Sequence, residues 1–519
     1  MAASGEEMAA ALPGRNRQVV TVALMLAMTV AALEQTVVST AMPSIIASLK
    51  GLETYPWVLS AYLLASTVAT PMYGKLADLL GRKRVLIFGL GLFSLGSMLS
   101  GLARSMPELI GMRALQGLGA GAVTPIVITM LGDMYTLKER AKVQALFSGI
   151  WGVSSIAGPT LGGYLTDQLS WRWVFFVTVP FGVVSAWILV VKVREPIDRT
   201  HAPPIDWAGA GLLAASSSAL LLSVLGGRGM PWEASAGLFA SSAVLAVLFV
   251  RRQGVAADPI LPLGLLARRE IGWAIVGCFL LGAVMFGLDM FVPLYVQGVR
   301  GGSATDGGRS IMPLFLAWAI SVTVAAKVVV RFGFRLTASI GAALIALGML
   351  TIAVGSRRPE WSVLAFAPGM ALIGLGMGPT MLSFTLGVQN AVDWGQRGVA
   401  TGALTFFRTL GSALGVALLG KLVGIGLARG LAERGIRGVD VSSALTPEGH
   451  KLLSHVQLAA VRTALEVPLS GVFFLMVGIA GATLLCALRL EGGRPVSRGD
   501  RTETPVEDDQ LALLAAEGA

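Results

Sequence analysis

Long apolar stretches separated by short polar connections make up most of this chain of 519 residues. About 20 apolar residues are enough to cross the hydrocarbon core of a bilayer as a helix, and fourteen segments approach or exceed that length. The pattern therefore predicts an all-α integral membrane protein with fourteen transmembrane helices. The predicted segments are 19–42, 55–74, 85–104, 107–130, 142–165, 172–192, 207–226, 233–250, 272–297, 310–330, 336–355, 361–388, 398–422 and 468–489.

Lys and Arg are concentrated in alternate connections between these segments. Placing the N-terminus inside puts clusters such as Arg82, Lys83 and Arg84 on the cytoplasmic side, while the short outward connections mostly carry one or two basic residues. The chain is thus predicted to lie in the inner, cytoplasmic membrane with both termini in the cytoplasm. The first segment contains Glu34 and lacks a small-residue cleavage pattern, so we expect it to remain as a helix rather than to be removed as a signal peptide.

The chain also contains an internal repeat. Residues 114–121 (ALQGLGAG) match residues 371–378 (ALIGLGMG) at an offset of 257 residues, and an offset of 252 aligns Gly81 with Gly333. Two six-helix halves would then flank an inserted pair of helices, and transporters with such parallel repeats place the substrate site between the halves near the midplane. The predicted organisation is a cytoplasmic tail at 1–18, an N-terminal six-helix bundle at 19–192, inserted helices 7 and 8 with linkers at 193–271, a C-terminal six-helix bundle at 272–489 with a long outward loop at 423–467, and a disordered cytoplasmic tail at 490–519.

Composition supports the membrane interpretation and narrows the function. Apolar residues form 54% of the chain and charged residues 13%, and the mean hydropathy is +0.73, so most of the surface should face lipid. The net charge of +10 comes from clusters at the ends of apolar segments, which argues against a nucleic-acid partner. Because the G-x-x-x-x-G-K-[ST] sequence is missing, we expect no nucleotide to drive the protein. Cys278 and Cys486 lie in apolar stretches and the three His lie away from carboxylate clusters, so neither a metal nor another cofactor is expected.

Two carboxylates and one guanidinium are predicted to lie inside the membrane. The repeat places Glu34 opposite Asp289, and an ionisable group within a transmembrane helix normally faces a cavity or a partner and marks a proton or substrate path. At about 1.5 Å per residue, Arg113 lies about 9 Å and Glu34 about 13 Å below the outer boundary, so the two can pair. Glu34, Arg113 and Asp289 could couple protons to transport, or each acid could simply be neutralised by an Arg. Met370 occupies the position in helix 12 that matches Arg113, which predicts asymmetric coupling.

A short basic stretch, residues 74–84, separates the second and third segments. Its sequence, GKLADLLGRKR, is similar to the G-x-L-A-D-x-x-G-R-K pattern that the major facilitator superfamily of transporters carries between its second and third helices. Gly74 and Gly81 are expected to permit close backbone approach in a tight loop. The resemblance implies that Gly74, Asp78, Gly81, Arg82 and Lys83 take part in conformational gating, with Asp78 and Arg82 latching the inner loop when the transporter faces outward. The alternative is a basic juxtamembrane loop with no further role.

Helix 4 carries a second pattern of the superfamily. Arg113, Gln116, Gly117 and Gly119 match R-x-x-Q-G-x-G-A, and this resemblance implies a part in proton coupling. Close packing of small residues against a neighbouring helix is a further role that the glycines can have at the same time.

Helix 5 contains a pattern of glycine and proline. Gly158, Pro159, Gly162 and Gly163 lie in the sequence GPTLGG, which resembles the G-P-x-x-G-G motif of superfamily antiporters. Pro159 removes one backbone hydrogen bond, and the glycines leave a bare surface against which another helix can slide or seal. The resemblance implies conformational gating in an exporter. The simpler interpretation is that Gly and Pro are common in transmembrane helices.

Two more stretches are similar to signatures of the 14-helix drug:proton antiporters. Residues 33–43 resemble L-D-x-T-V-V-N-V-A-L-P, and residues 171–182 resemble W-R-W-x-F-x-x-N-x-P-x-G. Glu34 replaces the usual Asp, while Ser39 and Thr178 replace Asn. Since Glu34 keeps the carboxylate but extends it by one methylene, coupling should survive while substrate contacts shift.

Weaker candidates complete the predicted site. Arg408, in a mid-helix R-x-L-G context, is a candidate charge partner for Asp289, with a structural role slightly favoured. Met and aromatic side chains would suit a pliable apolar cavity for bulky ligands, although core or lipid-facing packing is the more common role of such residues. The candidate cavity residues are Trp57, Tyr62, Met285, Phe286 and Met377.

The predicted function is secondary active transport. The protein would act as a monomer in the lipid bilayer and export small hydrophobic or cationic compounds in exchange for protons by alternating access. A dedicated exporter of one metabolite, such as a secondary metabolite, siderophore, sugar or lipid, would show the same motifs, because specificity depends on scattered cavity residues. A membrane-embedded enzyme or receptor is less favoured, since the sequence lacks His/Asp/Cys clusters near the helix ends.

Overall fold

All of the regular secondary structure in the described part of the chain is helical. A computed structural model describes residues 14–51, 54–135, 137–193, 206–225, 230–256, 259, 264, 268–358, 366–392, 397–434, 454–490 and 493. These ranges contain no strand, so the all-α prediction is confirmed for them. Residues 1–13, most of the predicted tail at 490–519 and parts of the linkers within 193–271 lie outside the described residues.

The helices are labelled here in chain order. The labels do not number membrane spans, because α6 has only four residues and α11 is broken at Gly333. The bounds are α1 Gly14–Leu49, α2 Pro56–Leu80, α3 Arg82–Leu102, α4 Met106–Met134, α5 Leu137–Gln168, α6 Trp173–Phe176, α7 Val179–Lys192, α8 Trp207–Leu225, α9 Trp232–Val255, α10 Arg269–Gly298, α11 Ala304–Ser356, α12 Phe366–Asn390, α13 Arg397–Glu433 and α14 His455–Leu488.

Eleven helices in the described ranges are long and apolar enough to cross a membrane. The number differs from the predicted fourteen at three places. Helix α11 counts once but covers two of the predicted segments, the apolar part of α2 is only Pro56–Thr70, and α5 is not among the eleven. The presence of many spans agrees with the sequence, whereas the total of fourteen stays a prediction.

Two glycines with positive φ end helices at positions that the repeat had paired. Gly81 separates α2 from α3 with φ 91° and ψ 141°, and Gly333 breaks α11 with φ 81° and ψ 173°. Only glycine adopts this backbone conformation without strain, so the glycine at each position explains why the helix breaks there. The predicted tight loop at 74–84 is nevertheless wrong in extent, because residues 74–80 continue α2 as a helix. Leu, Ala and Lys favour the helix there until Gly81 stops it.

The long connection predicted at 423–467 is partly helical. Helix α13 runs to Glu433, and α14 begins at His455, so helices enter the predicted loop from both sides. A capping box starts α14: Gln457 N donates to Ser454 Oγ at 3.2 Å, and Ser454 N donates to Gln457 Oε1 at 3.0 Å. Residues 435–453 lie outside the described residues.

We use the names N-terminal part for α1–α7 and C-terminal part for α10–α14. In the N-terminal part, α4 packs on α2 and α3, and α1 packs on α5 and α7. In the C-terminal part, α11 packs on α12 and α14, and α10 packs on α13. One large buried apolar cluster draws on both parts, for example on Val37 of α1 and Phe291 of α10.

Corresponding glycines make corresponding contacts in the two parts. A Cβ built on Gly119 of α4 would overlap the carbonyl oxygen of Gly89 in α3. One built on Gly376 of α12 would overlap the carbonyl oxygen of Gly341 in α11 in the same way. Gly119 and Gly376 are related by the offset of 257, and the other two by the offset of 252. The repeat therefore preserves helix packing, while the division into two six-helix bundles remains a prediction.

The inserted helices α8 and α9 form a pair fastened by one carboxylate. Asp206, just before α8, is buried and accepts hydrogen bonds from Gly209 N at 3.0 Å, Arg252 Nε at 3.0 Å and Gln253 Nε2 at 2.9 Å. Burial by itself would raise the pKa of Asp206, but these hydrogen bonds and the charge of Arg252 together lower it. Helix α8 also contacts α2 and α13, so the pair touches both parts of the molecule.

Candidate functional site

An ion pair lies in the interior of the N-terminal part. Glu34 in α1 and Arg113 in α4 are each 1% exposed, and Arg113 Nη1 donates to Glu34 Oε1. A guanidinium cannot lose its proton in a protein, so a buried Arg requires acceptors of this kind. The pair that we predicted from depth along the two helices is therefore present.

Gln116 joins the two charged residues from one turn further along α4. Its Nε2 donates to Glu34 Oε2 at 2.8 Å, and its Oε1 accepts from Arg113 Nη1 at 2.6 Å. Gln116 Nε2 also donates to Ser97 Oγ at 3.1 Å, and that hydroxyl donates to the Phe175 carbonyl oxygen at 2.8 Å. Both oxygens of the Glu34 carboxylate are thus occupied. The sequence pattern had indicated Gln116 but neither its contact with Glu34 nor the role of Ser97.

Aromatic rings and a backbone carbonyl cover the guanidinium. Arg113 Cζ is 4.3 Å from the centre of the Tyr62 ring and 5.8 Å from that of Phe175. Arg113 Nε donates to the Val58 carbonyl oxygen at 3.2 Å. The ring faces stabilise a cation that has lost its water, so the pair is enclosed as well as satisfied. Tyr62, predicted as a cavity residue, therefore lies directly at the ion pair.

Two glycines of the helix 4 pattern let neighbouring backbones approach this network. A Cβ on Gly117 would overlap the Tyr62 backbone in α2, and one on Gly119 would overlap the Phe93 backbone in α3. Helix α4 therefore lies against both neighbours with no side chain between them. The packing role proposed for Gly117 and Gly119 is supported, and it fixes the height of Arg113.

Among the described residues, Asp289 in α10 is buried without the charged partner that Glu34 has. The residue is 6% exposed, and its Oδ1 has no hydrogen-bond partner within the described ranges. Ser39 of α1 is its hydrogen-bonding neighbour, although the Ser39 hydroxyl also has the Thr36 carbonyl oxygen as an acceptor at 3.2 Å. An ionised oxygen buried without a donor is costly. The arrangement suits a carboxyl that takes up a proton or a cation.

The predicted pairing of Arg408 with Asp289 is not found among the described residues. The Arg408 backbone in α13 faces Gly282 of α10, and Gly282 precedes Asp289 by about 10 Å along the helix axis. The Arg408 side chain lies near Cys278, another turn further from Asp289. The mismatch in height explains why two residues on neighbouring helices do not meet. A structural role for Arg408, which the sequence slightly favoured, fits this position.

On one side, the glycine and proline motif of α5 contacts α1. A Cβ on Gly158 would overlap the Thr36 side chain, and one on Gly162 would overlap the Val37 backbone. Thr36 Oγ1 is also 3.3 Å from the Ser154 carbonyl oxygen in α5. The motif therefore holds α5 against the helix that carries Glu34.

On its other side, the same motif contacts the C-terminal part. A Cβ on Gly163 would lie 2.6 Å from the Thr305 Cα in α11, and a Cβ on Gly308 of α11 would overlap the Pro159 carbonyl. Two backbones are thus in direct contact across the boundary between the parts. We call this contact between α5 and α11 the seam. The bare helix surface predicted from Gly158, Pro159, Gly162 and Gly163 is present, and it faces two partners rather than one.

Other hydrogen bonds join the two parts near the same end of the molecule as the seam. Gln297 Nε2 in α10 donates to the Thr40 carbonyl oxygen in α1 at 3.2 Å. Ser60 Oγ in α2 donates to the Ala413 carbonyl oxygen in α13 at 3.2 Å. These contacts and the seam bring the parts together toward the end where α5 finishes and α11 begins.

The basic stretch after α2 gives a mixed result. Gly74 is exposed and a Cβ there would meet nothing within 4 Å, so the close approach predicted at Gly74 is not found. Lys83 Nζ donates to the Val190 and Val193 carbonyl oxygens at 3.0 and 2.6 Å, which caps the end of α7. The Asp78 side chain lies outside the described part of the structure. The predicted latch between Asp78 and Arg82 therefore stays a prediction.

The five candidate cavity residues belong to one apolar cluster. Tyr62, Phe286 and Met377 are buried, while Trp57 and Met285 are partly buried and pack against them. The same cluster includes Leu33 and Val37, which flank Glu34 along α1. The five residues therefore share one buried core, in which Tyr62 lies at the ion pair, and their role as a substrate cavity stays a prediction. The members are Trp57, Tyr62, Met285, Phe286 and Met377.

Thiols and potential metal ligands are scattered. Cys278 and Cys486 are buried and reduced. Within the described ranges, no three His, Cys, Asp or Glu side chains are grouped so that they could hold a metal ion. The charged network of Glu34, Arg113 and Gln116 is the candidate functional site.

Comparison with known proteins identifies the family. The profile of the Major Facilitator Superfamily matches residues 24–416. Multidrug transporter protein MdtP of Bacillus subtilis (strain 168) is 35% identical over 411 residues, which cover 79% of this chain and 75% of that protein. Multidrug resistance protein 3 of the same organism is 33% identical over 406 residues, covering 78% and 79%. The structure is also similar to the crystal structure of a bacterial homolog to the human lysosomal transporter Spinster in an inward-facing, unoccupied conformation. The TM-score is 0.64 at 17% identity, and the match covers 92% of this chain and 98% of that chain. This similarity supports the fold alone.

Proposed function

The chain belongs to the major facilitator superfamily of transporters, and on this premise we propose that it exports hydrophobic or cationic compounds in exchange for protons. It is a multi-pass membrane protein whose relatives include proteins named as multidrug transporters, which supports drug efflux. The observation that carries proton coupling is the buried network of Glu34, Arg113 and Gln116. Burying such a network inside a transmembrane helix bundle costs free energy, and intramembrane ionisable residues therefore normally have a function.

A proton on Glu34 would rearrange this network. As a carboxylate, Glu34 accepts from both Arg113 and Gln116. As a neutral acid it has an O–H donor of its own and a much weaker attraction for the guanidinium. Arg113 would then depend on the Val58 carbonyl at 3.2 Å and the Gln116 Oε1 at 2.6 Å. Proton binding therefore loosens α1 from α4, which is the change that coupling requires.

Helix α1 connects this proton site with the boundary between the two parts. Thr36 follows Glu34 by two residues and lies against Gly158 of α5. One further turn along, the Thr40 carbonyl accepts from Gln297 of the C-terminal part. A shift of α1 would thus disturb contacts on both sides of the boundary, which supports alternating access by movement of two packed parts.

Asp289 is proposed as the anchor for a cationic substrate. Its Oδ1 has no hydrogen-bond partner in the part of the chain that the structure describes, and Phe286, one turn earlier in the same helix, belongs to the large apolar cluster. A hydrophobic cation would supply both the missing charge and apolar contact. Asp289 could share proton binding with Glu34, and the experiment below separates the two roles.

The proposed orientation places both termini in the cytoplasm and the protein, as a monomer, in the inner membrane. In that orientation the seam and the hydrogen bonds near it close the outer side. Substrate would enter from the cytoplasm, displace protons and be released outside after α5 and α11 separate. The inserted helices, which contact α2 and α13, would stay attached to both parts during this movement.

Ethidium efflux from energised cells tests the proposal. We expect efflux by the wild type to stop when an uncoupler is added, and Glu34→Gln to abolish efflux while the protein remains in the membrane. Asp289→Asn should reduce efflux of the cation ethidium more than efflux of a neutral dye. Asp206→Asn removes another buried carboxylate and serves as the control, with efflux near that of the wild type.

Each outcome separates one part of the proposal. Wild-type efflux that persists in the presence of the uncoupler would contradict proton coupling. Glu34→Gln with normal efflux would contradict the assigned proton site. If the wild type moves no dye, export of one dedicated metabolite becomes the better function for the same fold.

A further inference from the structure

A carboxylate from α5 caps the start of α11 across the boundary between the two parts. Asp167, the second-last residue of α5, accepts from Ala304 N at 3.2 Å and from Thr305 N at 2.9 Å. The Thr305 hydroxyl donates to the same carboxylate at 2.5 Å. Three donors of one helix end are therefore held by one residue that lies 137 positions earlier in the chain.

The first backbone N–H groups of a helix have no acceptor within the helix, so each needs one from elsewhere. In α11, the N–H of Asp306 finds the Ser303 Oγ at 3.2 Å, and Gly307 N begins the helical ladder at the Ser303 carbonyl at 3.0 Å. The N–H groups of Ala304 and Thr305 remain, and both go to Asp167. An anion at a helix N-terminus is further stabilised by the helix dipole. The cap is thus divided between Ser303, which directly precedes α11, and Asp167 of the opposite part.

Asp167 lies at the end of the seam. One turn earlier in α5, Gly163 touches the Thr305 backbone, and Pro159 touches Gly308. The seam itself consists of van der Waals contacts between bare backbones, which have little directionality. The carboxylate adds directed, charge-assisted hydrogen bonds at its exposed rim. Separation of α5 from α11 would break all three of these bonds together.

We propose that Asp167 is the latch of the outer gate, a positioning residue that sets how often this end of the transporter opens. The hydrogen bonds of Asp167 form when α5 and α11 are in contact, and water replaces them when the two helices separate. The inference rests on the proposed alternating access. A cap with a purely structural role would stabilise the fold but would not change the exposure of the interior to the outside.

A single reporter cysteine measures gate opening without relying on transport. The two native thiols are replaced (Cys278→Ser, Cys486→Ser), and Ser60→Cys is introduced in α2, where the native hydroxyl meets the Ala413 carbonyl oxygen at the boundary between the two parts. Ser60 is buried in the closed structure, so an impermeant maleimide added outside reacts only after the gate opens. We expect Asp167→Asn to raise the labelling rate in intact cells by about threefold to tenfold, the range for losing hydrogen bonds to a partly exposed carboxylate.

Asp306→Asn is the matched control. Asp306 accepts from Ser303 N at 3.0 Å and so belongs to the same helix cap, but it makes this contact within the C-terminal part. If the cap acts only on folding, both substitutions should change labelling equally, and that result would overturn the proposal. Equal labelling of Asp167→Asn and the parent chain would also overturn it, provided that the parent still exports ethidium. A parent that exports no dye and shows no external labelling would instead contradict the proposed function.

Cross-linking tests the same contact in the opposite direction. Asp167→Cys and Thr305→Cys, combined in the thiol-free background, replace with thiols two side chains that are now hydrogen-bonded at 2.5 Å. Oxidation should form a disulfide, stop efflux and abolish external labelling of a reporter, and a reductant should restore efflux. Full efflux by the cross-linked protein would show that α5 and α11 need not separate there, and the latch would be refuted.

Discussion

Removing either member of the Glu34–Arg113 pair should destabilise the protein by unequal amounts. The perturbations are Glu34→Gln and Arg113→Met, which are close to the native side chains in size. Glu34→Gln leaves a guanidinium that cannot lose its proton. Arg113→Met leaves a carboxyl that can take up a proton and become neutral. We therefore expect the loss of the acid to cost more than the loss of the base.

The contacts set the magnitudes. Leaving one member of a buried ion pair uncompensated costs about 3–5 kcal/mol of unfolding free energy. Arg113 would keep the Val58 carbonyl at 3.2 Å, the Gln116 Oε1 at 2.6 Å and the Tyr62 ring at 4.3 Å. The cost of Glu34→Gln should therefore be about 3 kcal/mol. After Arg113→Met, a protonated Glu34 still meets Gln116, and the cost should be about 1–2 kcal/mol.

A double-mutant cycle on purified protein in mixed micelles measures these values. Unfolding by SDS is followed by tryptophan fluorescence for the wild type, the two single variants and the double variant. We expect a coupling energy of about 2 kcal/mol, within the range for residues in one network. The cost of Arg113→Met should also shrink at lower pH, because protonation removes the charge that the substitution leaves behind.

The ion pair of half-exposed Arg252 and buried Asp206 provides the comparison. Its N–O distance is 3.0 Å, but the Arg252 side chain is 46% exposed, so its coupling should be below about 1 kcal/mol. The reasoning is refuted if Arg113→Met costs as much as Glu34→Gln at neutral pH. It is equally refuted if the coupling energy of the Glu34–Arg113 pair is no larger than that of the Asp206–Arg252 pair.

Three further predictions concern glycines and the buried carboxylate of Asp206. Gly81→Ala, at φ 91°, should lower the unfolding free energy by about 1–3 kcal/mol. Gly74→Ala, on the open face of α2, should raise the unfolding free energy by about 0.5–1 kcal/mol. Equal effects of the two substitutions in SDS titrations would contradict this prediction. Because hydrogen bonds lower the pKa of Asp206, its stabilising contribution is present above the unfolded-state pKa of about 3.9 and is lost as pH falls through the folded-state pKa. Asp206→Asn should therefore narrow the gap between melting temperatures at neutral and acid pH, and an unchanged gap would count against the argument. Gly163→Val should block closure of the seam and reduce ethidium efflux by about tenfold or more. Tyr164→Val, on the exposed neighbouring face, should leave efflux unchanged. Similar efflux by both variants would contradict a role of the seam in transport.

The fold was largely predictable because apolar length and glycine position are local signals. Many membrane-spanning helices follow from segment length, and the helix breaks at Gly81 and Gly333 follow from the repeat together with a backbone conformation that only glycine adopts readily. Helix ends in the polar layer were less predictable. Residues 74–80 remained helical, and the Ser454 capping box began α14 inside a stretch that looked like a loop. Charge marks where a helix leaves the lipid, but it does not end the helix.

The site was predictable only as far as helix geometry carries. The pairing of Glu34 with Arg113 follows from their depths, since a fixed rise per residue converts sequence position into height. Height alone fails for Arg408, which lies near Cys278 and away from Asp289. It also gives no information on the bond from Gln116 to Glu34, because that contact depends on how α4 is rotated about its own axis. Sequence spacing encodes height, whereas rotation is decided by packing.

The two symmetry-related carboxylates differ because the repeat has kept the acid and lost its partners. At the offset of 257, Arg113 corresponds to Met370 and Gln116 corresponds to Ile373, and both of these apolar residues are fully buried. Each donor that satisfies Glu34 is therefore replaced by an apolar side chain at the matching height of α12. Among the described residues, Asp289 consequently has no internal cation to compete with an incoming one, while Glu34 is paired with Arg113 until it takes up a proton. The same backbone repeat thus provides one carboxylate whose charge is compensated within the protein until it is protonated, and one whose charge is left for a cationic ligand.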